Sequence, residues 1–156
     1  FFPKQTDPQL LEAQLDAAIK ASKSAFDSIA PGVKKAGWQE AYASSGTVKM
    51  LAAICHAHGL EKGRIELATL TILQPRLIAA IAENGDLPGL KERRRELLLP
   101  GLAVLVGLMR SYSVDRINFS ATALREGMLD FMVKNKKTLA IIESSELPEV
   151  SLIENT

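Results

Sequence analysis

Residues 38–47 of this chain read WQEAYASSGT, and the rest of the chain can be organised around this segment. Trp38 to Ala43 is a candidate short strand, and small residues carry the chain from it into a helix that begins near Thr47. Such a junction presents unpaired backbone N–H groups and the positive end of the helix dipole, and glycine allows a phosphate to approach closely. Ser45, Gly46 and Thr47 are therefore candidate phosphate-binding residues. The residues alone still favour the plainer alternative, an N-cap and a tight turn without a ligand.

A second junction of the same kind lies further along the chain. Residues 116–120 form the second candidate strand, and residues 123–134 form the helix after it. Ser120 ends this strand, and the Arg125 side chain can meet a phosphate with its fixed fork of N–H donors. Ser120 and Arg125 are therefore further candidates for phosphate binding.

Glu126 and Gly127 belong to the same helix start. Glu126 can orient Arg125, accept a hydrogen bond from a ribose hydroxyl or hold a metal-bound water, so it is also a candidate substrate-binding residue. The alternative is a solvated Arg-Glu pair that only stabilises the helix start. Gly127 costs about 1 kcal/mol against alanine inside a helix, which favours a packing or ligand-approach role.

Helical periodicity accounts for much of the remaining chain. The first helix begins at Asp7-Pro8 and is predicted to end near Ala30, where Pro31-Gly32 follows. A kink or break is expected at Pro75, inside the third helix. The helices after the first are predicted over residues 47–58, 66–83, 101–112 and 123–134.

The order helix, strand, helices, strand, helix is typical of an α/β fold with a parallel sheet. Two short strands make a marginal sheet, which leaves the apolar faces of the first helix and of helix 101–112 to be covered. We therefore expect further strands upstream in a longer protein, or from a neighbouring chain. The start at Phe1-Phe2-Pro3, without an initiator Met or a signal peptide, agrees with that expectation.

The composition is that of one ordinary globular domain. The 156 residues are 47% hydrophobic and 24% charged, and 19 Lys and Arg against 18 Asp and Glu leave a formal charge of +1. No global field attracts nucleic acid or anionic lipid, so any anion binding is local. The longest apolar stretch, Leu97 to Met109, is interrupted by Pro100-Gly101 and is shorter than the roughly 20 residues of a membrane span. The single cysteine, Cys55, is compatible with a reducing cytoplasm.

Several other polar residues favour structural roles. His56 and His58 are two apart on a helix, so they point to different faces and make a poor metal pair. Cys55 falls on an apolar helical stripe and is expected in the core. The basic run Lys91 to Arg95 can guide a polyanion, but glutamates are interleaved with it, so a solvated helical face is expected.

A set of short motifs carries a resemblance to a known family. In chain order they are FFP (1–3), GW (37–38), SGT (45–47), LPGL (87–90), ERR (92–94), LPGLAVL (99–105) and ALREG (123–127). Together they resemble the second domain of the exopolyphosphatase and guanosine-pentaphosphate phosphohydrolase family, from Phe1 to about Lys134. Each motif is weak alone, whereas ALREG in register with the SGT loop and the PGLAVL helix is specific.

The resemblance implies a ribonuclease-H-like fold of the actin, sugar-kinase and Hsp70 type. Residues 1–134 would be the helix-rich C-terminal part of the second such domain, with few strands, and residues 135–156 a connector. Family members release the terminal phosphate of inorganic polyphosphate, or the 5′ γ-phosphate of guanosine pentaphosphate, using magnesium. The family's general-base glutamate and glycine-rich aspartate loop would lie upstream of Phe1, so the isolated chain is expected to be inactive. A cytoplasmic homodimer is also expected.

The chain departs from the family pattern beside both junctions. Relatives commonly open the first loop with glycine, whereas Ala43 stands here and narrows the backbone freedom. Relatives commonly carry aspartate and glycine where this chain has Ala121 and Thr122, which puts metal or substrate contact at that point in doubt. By analogy, Ser45, Gly46 and Thr47 would face the nucleotide, and Arg125 and Glu126 would open a helix nearby.

Three functions of different classes follow from these observations. The preferred one is a phosphoanhydride hydrolase to which this segment contributes substrate-binding elements. The alternatives are a binding module that captures a nucleotide or polyphosphate without turnover, and an element for dimerisation and packing. The choice between polyphosphate and guanosine pentaphosphate stays open, because it is expected to involve residues of the first domain.

Overall fold

The computed structural model describes residues 7–135, which belong to two compact units, Phe1–Ala121 and Thr122–Thr156. The elements of the first unit are α1 (Pro8–Asp27), α2 (Ala30–Ala36), β1 (Tyr42–Ala43), α3 (Gly46–Ala57), β2 (Arg64–Glu66), α4 (Leu67–Ala82), a 3₁₀ helix (Glu92–Leu97), α5 (Leu98–Tyr112) and β3 (Arg116–Phe119). The described part of the second unit contains α6 (Leu124–Lys134). Apart from Asn135, the connector predicted over residues 135–156 lies outside the described residues.

The three strands form one mixed sheet in the order β1-β3-β2. β1 pairs with β3 in parallel, with Ala43 opposite Phe119. β2 pairs with β3 in the antiparallel sense, with Ile65 opposite Ile117, and both isoleucines are buried. The prediction of an α/β fold is confirmed, but the prediction of a purely parallel sheet is wrong. β2 was not predicted because three residues are too few to show an alternating pattern.

The centre of the core is α5, which packs along α1. Nine residues of α5 are buried, among them Leu102, Val106 and Met109. Gly107 lets the two helices approach closely, because it has no side chain. A β-carbon at this position would lie 2.6 Å from the Cβ atom of Ser22. The expectation that these helices need a sheet to cover their apolar faces is therefore wrong for α5 and for the N-terminal half of α1, since each helix buries the other.

Proline positions two helices differently from the prediction. α1 ends at Asp27, and Pro31 lies in the first turn of α2, where a missing N–H group costs nothing. The first helix thus ends a few residues before the predicted Ala30, and the prediction that Pro31 ends it is wrong, because this proline lies in the first turn of the next helix. α4 continues without a break through Pro75, although a break was one of the outcomes expected there. Leu73 and Leu77 are buried on either side of this proline, and their packing holds the helix together.

Candidate functional site

The first turn of α3 has the geometry of a capped helix start. The Ser45 hydroxyl accepts a hydrogen bond from the Val48 N–H at 3.0 Å, and the Ser45 carbonyl accepts one from the Lys49 N–H at 3.0 Å. No acidic residue stands in this first turn. The backbone N–H groups of Gly46 and Thr47 have no hydrogen-bond partner within residues 7–135. The turn predicted at Ser45-Gly46-Thr47 is thus present, and its two remaining donors are available to an anion.

Ser120 lies next to this turn because the two parallel strands end at the same edge of the sheet. The Ser120 N–H donates to the Ala43 carbonyl at 2.9 Å, which continues the pairing of β1 with β3 by one residue. The sequence predicted both junctions separately. Their proximity within the first unit follows from the parallel register.

The Arg94 guanidinium packs against Gly46 at the α3 start. A β-carbon on Gly46 would lie 2.5 Å from the Nη2 atom and 2.6 Å from the Cζ atom of Arg94, so glycine leaves the space that the guanidinium occupies. Arg94 is half-buried, and no carboxylate within residues 7–135 forms an ion pair with it. A cation therefore stands at the positive end of a helix without a neutralising partner in the described part of the chain.

The interpretation of the basic run as a solvated face is wrong for two of its members. Arg94 contacts Gly46, and the neighbouring Arg95 donates to the carbonyls of Ala80 and Gly85 at 2.8 and 2.9 Å. Arg93 is exposed, as expected. The error arose because the run forms a 3₁₀ helix whose successive side chains point about 120° apart.

Thr47 is fixed from the other side by α5. Its Cγ2 methyl group occupies the position that a β-carbon on Gly101 would need. Pro100 and Gly101 lie in the first turn of α5, so the SGT turn is packed between the start of α5 and the 3₁₀ helix. This packing gives the turn one defined position.

Arg125 and Glu126 belong to the second unit, at the start of α6. The Glu126 carboxylate accepts a hydrogen bond from the Ala123 N–H at 2.8 Å, as in the reciprocal half of a capping box. Hydrogen bonds from the Ala123 and Glu126 backbone N–H groups lower the pKa of the Glu126 carboxyl below its usual range. This contact gives Glu126 a helix-capping role, and its role in substrate binding stays a prediction.

The remaining titratable candidates have structural partners. One ring nitrogen of His56 lies 2.8 Å from the Leu60 carbonyl, and one of His58 lies 2.8 Å from the Ile54 carbonyl. Cys55 is buried, as predicted, and burial raises the pKa of its thiol to about 11, which leaves it unreactive at neutral pH. Within residues 7–135, no cluster of three or more His, Cys, Asp or Glu side chains could hold a metal ion.

A cavity of about 870 Å³ lies at the opposite edge of the sheet. Trp38 and Asp115 line it, and its charged wall includes Glu66, which lies within 3.9 Å of Arg64 and 3.8 Å of Arg116. Its lining carries three carboxylates, Glu40, Glu66 and Asp115, against one arginine, Arg116, so it does not favour an anion. The Gly46 and Thr47 N–H groups and the Arg94 guanidinium lie instead at the α3 start.

The sequence placed Arg94 in a basic run able to guide a polyanion, but the solvated-face interpretation was preferred, so Arg94 was not among the candidate site residues. The available signal was Gly46 itself, since a capped helix start does not need glycine unless another group packs against it. The group that packs on Gly46 comes from the 3₁₀ helix after α4. No local sequence pattern indicates that this segment lies beside the α3 start.

No helix within residues 7–135 is both long and apolar enough to cross a membrane.

The model of the Ppx/GppA phosphatase family matches residues 3–136. A guanosine-5′-triphosphate,3′-diphosphate pyrophosphatase of Pseudoalteromonas translucida (strain TAC 125) is 37% identical over 131 residues, which are 81% of this chain and 26% of the relative. Proteins of the same name from Aeromonas hydrophila and Pseudoalteromonas atlantica are 31% and 34% identical, over 83% and 81% of this chain and 26% and 25% of their own lengths. The chain thus spans about a quarter of each relative, and it belongs to the Ppx/GppA phosphatase family.

Proposed function

We propose that this chain is the substrate-binding segment of a phosphoanhydride hydrolase that releases the terminal phosphate of guanosine pentaphosphate or of inorganic polyphosphate. The names of the relatives support the nucleotide as substrate. The actin-like fold of the whole enzyme, its cytoplasmic location and its assembly as a homodimer are parts of the same proposal.

The observation that carries the proposal is the Arg94 guanidinium on Gly46. A cation at the positive end of a helix is unfavourable by about 0.3–1 kcal/mol, because it reverses the sign of the usual charge-dipole attraction. An anion bound beside the guanidinium, at the free N–H groups of the first turn of α3, would change that repulsion into two attractions. A phosphate group would accept hydrogen bonds from the Gly46 and Thr47 N–H groups and from the planar fork of Arg94.

In this arrangement the segment orients phosphate and neutralises its charge. The backbone donors are fixed by the Ser45 cap and by the contact of Thr47 with Gly101, so they need no reorganisation when the substrate binds. Ser120 lies at the same sheet edge and extends the polar surface along the substrate. Because donors of this kind do not remove a proton from water, the general base must come from another part of the enzyme.

Magnesium dependence is proposed for the intact enzyme only. The described residues contain no cluster of three or more His, Cys, Asp or Glu side chains, and the first turn of α3 contains no carboxylate. This segment by itself therefore does not fit a magnesium ion. Ligands from other parts of the enzyme, or the substrate phosphates themselves, would have to hold it.

The test uses the full-length gene product and this chain by itself. We expect the full-length protein to release phosphate from guanosine pentaphosphate or polyphosphate with magnesium present, and to lose that activity with a chelator. We expect the isolated chain to be inactive but to bind inorganic tripolyphosphate, measured by calorimetry at about 0.15 M salt, where long-range charge effects are screened.

Each result separates two functions. Tight binding without turnover by the full-length protein would favour the alternative of a non-catalytic nucleotide or polyphosphate-binding module. Absence of both binding and turnover would contradict the proposal and leave the packing or dimerisation role. Sedimentation of the full-length protein tests the homodimer.

A further inference from the structure

The 3₁₀ helix has to keep a cation in an unfavourable position. Runs of 3₁₀ helix longer than three or four residues are uncommon, because their hydrogen-bond geometry is poor. This one has six residues, and none of them is buried. The start of α5, with Leu98 and Leu99 buried, anchors its C-terminal end, but the backbone and packing of the 3₁₀ helix itself do little to fix Arg94 on Gly46, so a further contact is needed.

That contact is made by the next residue, Arg95. Its Nη1 atom donates to the carbonyls of Ala80 at 2.8 Å and Gly85 at 2.9 Å. Its Nε and Nη2 atoms donate to the Glu92 carboxylate at 2.9 and 2.8 Å. All three guanidinium nitrogens are thus engaged, and the side chain is only 15% exposed. The hydrogen bonds from Arg95 lower the pKa of the Glu92 carboxyl, so the pair is ionised at neutral pH.

Arg95 binds the C-terminal turn of α4. The Ala80 carbonyl is one of the last in this helix and also accepts the Gly85 N–H at 3.0 Å, while Asn84 has a left-handed φ of 51°. These contacts are those of a helix end closed by a left-handed residue. A cation is favourable there, at the negative end of the helix dipole. Arg95 thus stands at the C-terminal end of α4, where the helix dipole attracts a cation. The adjacent Arg94 stands at the N-terminal end of α3, where the dipole repels a cation.

We propose that Arg95 is a positioning residue for phosphate binding. By joining the 3₁₀ helix to the C-terminal turn of α4, it keeps the Arg94 guanidinium on Gly46 before the phosphate arrives. A side chain that is already ordered loses less conformational entropy on binding, so the affinity for substrate is higher. This inference rests on the proposed function, in which Arg94 contacts phosphate.

The experiment is a double-mutant cycle in the full-length gene product with guanosine pentaphosphate. We expect Arg95→Met to raise KM about 5- to 20-fold and to change kcat less than about 2-fold, because the residue acts on ground-state and transition-state binding alike. In an Arg94→Ala background the same substitution is expected to change KM less than about 2-fold, since coupled residues are not additive. Arg95→Lys, which can reach the carbonyls but cannot form the fork with Glu92, is expected to restore part of the affinity.

Arg93→Met is the matched control, because Arg93 is an exposed arginine of the same 3₁₀ helix. It should leave KM within about 2-fold of wild type at 0.15 M salt. If a thermal scan shows that Arg95→Met does not fold, Glu92→Gln replaces it in the cycle and should raise KM about 2- to 5-fold, again only when Arg94 is present.

An unchanged KM in Arg95→Met, or an equal rise in both backgrounds, would overturn the positioning role while the proposed function stands. A wild-type protein that neither binds nor hydrolyses the nucleotide would overturn the proposed function, and the positioning role with it.

Discussion

The starts of α3 and α6 look alike in the sequence and differ in the structure. Each follows a strand, and each has glycine within its first four residues. At α3, Arg94 contacts Gly46, and six residues of the helix are buried. At α6, no atom of residues 7–135 lies within 4 Å of a β-carbon placed on Gly127, and no residue of the helix is buried in this described part of the chain. The same local pattern therefore marks a packed turn in one place and an exposed helix in the other.

The largest expected difference concerns stability. Leu51 of α3 is fully buried, so Leu51→Ala should lower the free energy of unfolding of the isolated chain by about 2–5 kcal/mol. Leu129 of α6 is 57% exposed, and Leu129→Ala should change it by less than about 0.5 kcal/mol. Urea denaturation followed by circular dichroism measures both. Equal losses would mean that α6 contributes to the same packed core as α3.

The second difference concerns the two arginines. In the full-length gene product, Arg94→Ala should lower kcat/KM by an amount equivalent to about 1.5–3 kcal/mol of lost transition-state stabilisation. This is the usual value for losing hydrogen bonds to a charged group. The sequence predicts a loss of similar size, about 1.5–3 kcal/mol, for Arg125→Ala if Arg125 also holds a phosphate. Steady-state kinetics of both variants decide the matter. Unchanged kinetics in Arg125→Ala would leave Arg125 as an exposed residue of the α6 start.

The third difference concerns the glycines. Gly46→Ala should displace the Arg94 guanidinium rather than strain the backbone. The fall in kcat/KM should then be equivalent to about 1–2 kcal/mol of lost transition-state stabilisation, with little change in melting temperature. Gly127→Ala should instead stabilise α6 by about 0.5–1 kcal/mol, because its β-carbon meets open space and alanine favours helix. Kinetics and thermal unfolding on the two variants make the comparison. A Gly127→Ala variant with impaired kinetics would reveal a ligand or packing role for Gly127.

The smallest expected effect is a pH dependence confined to α6. The folded-state pKa of Glu126 lies below its ordinary value of 4.5, so the cap contributes stability above that value and loses it as pH falls through the folded pKa. NMR chemical shifts of α6 should therefore show loss of helix as the solution is acidified below about pH 4.5. Glu126→Gln should flatten that dependence while the shifts of α3 stay constant. An unchanged acid response in Glu126→Gln would exclude the cap as its cause.

Local interactions explain what could be predicted from the sequence. The Ser45 cap, the helix start at Asp7-Pro8 and the burial of Cys55 all depend on neighbouring residues or on one helical face. Such features are encoded within one or two turns of helix, and so is the polar junction at Ser45-Gly46-Thr47, for which phosphate binding is proposed. The family resemblance rests on the same short motifs, which is why it could be recognised without a structure.

Contacts between distant segments decided the rest. Only the tertiary structure places Arg94 on Gly46 and Arg95 on the α4 end, because the chain returns to α3 after two further elements. It also sets β2 antiparallel and keeps α4 continuous through Pro75, where packing outweighs local preference. The sequence by itself determined that a capped helix start exists, with the dipole and N–H donors on which the proposed anion binding depends. Which cation faces that turn was decided by packing between segments, because no local pattern records which distant side chain fills the space above a glycine.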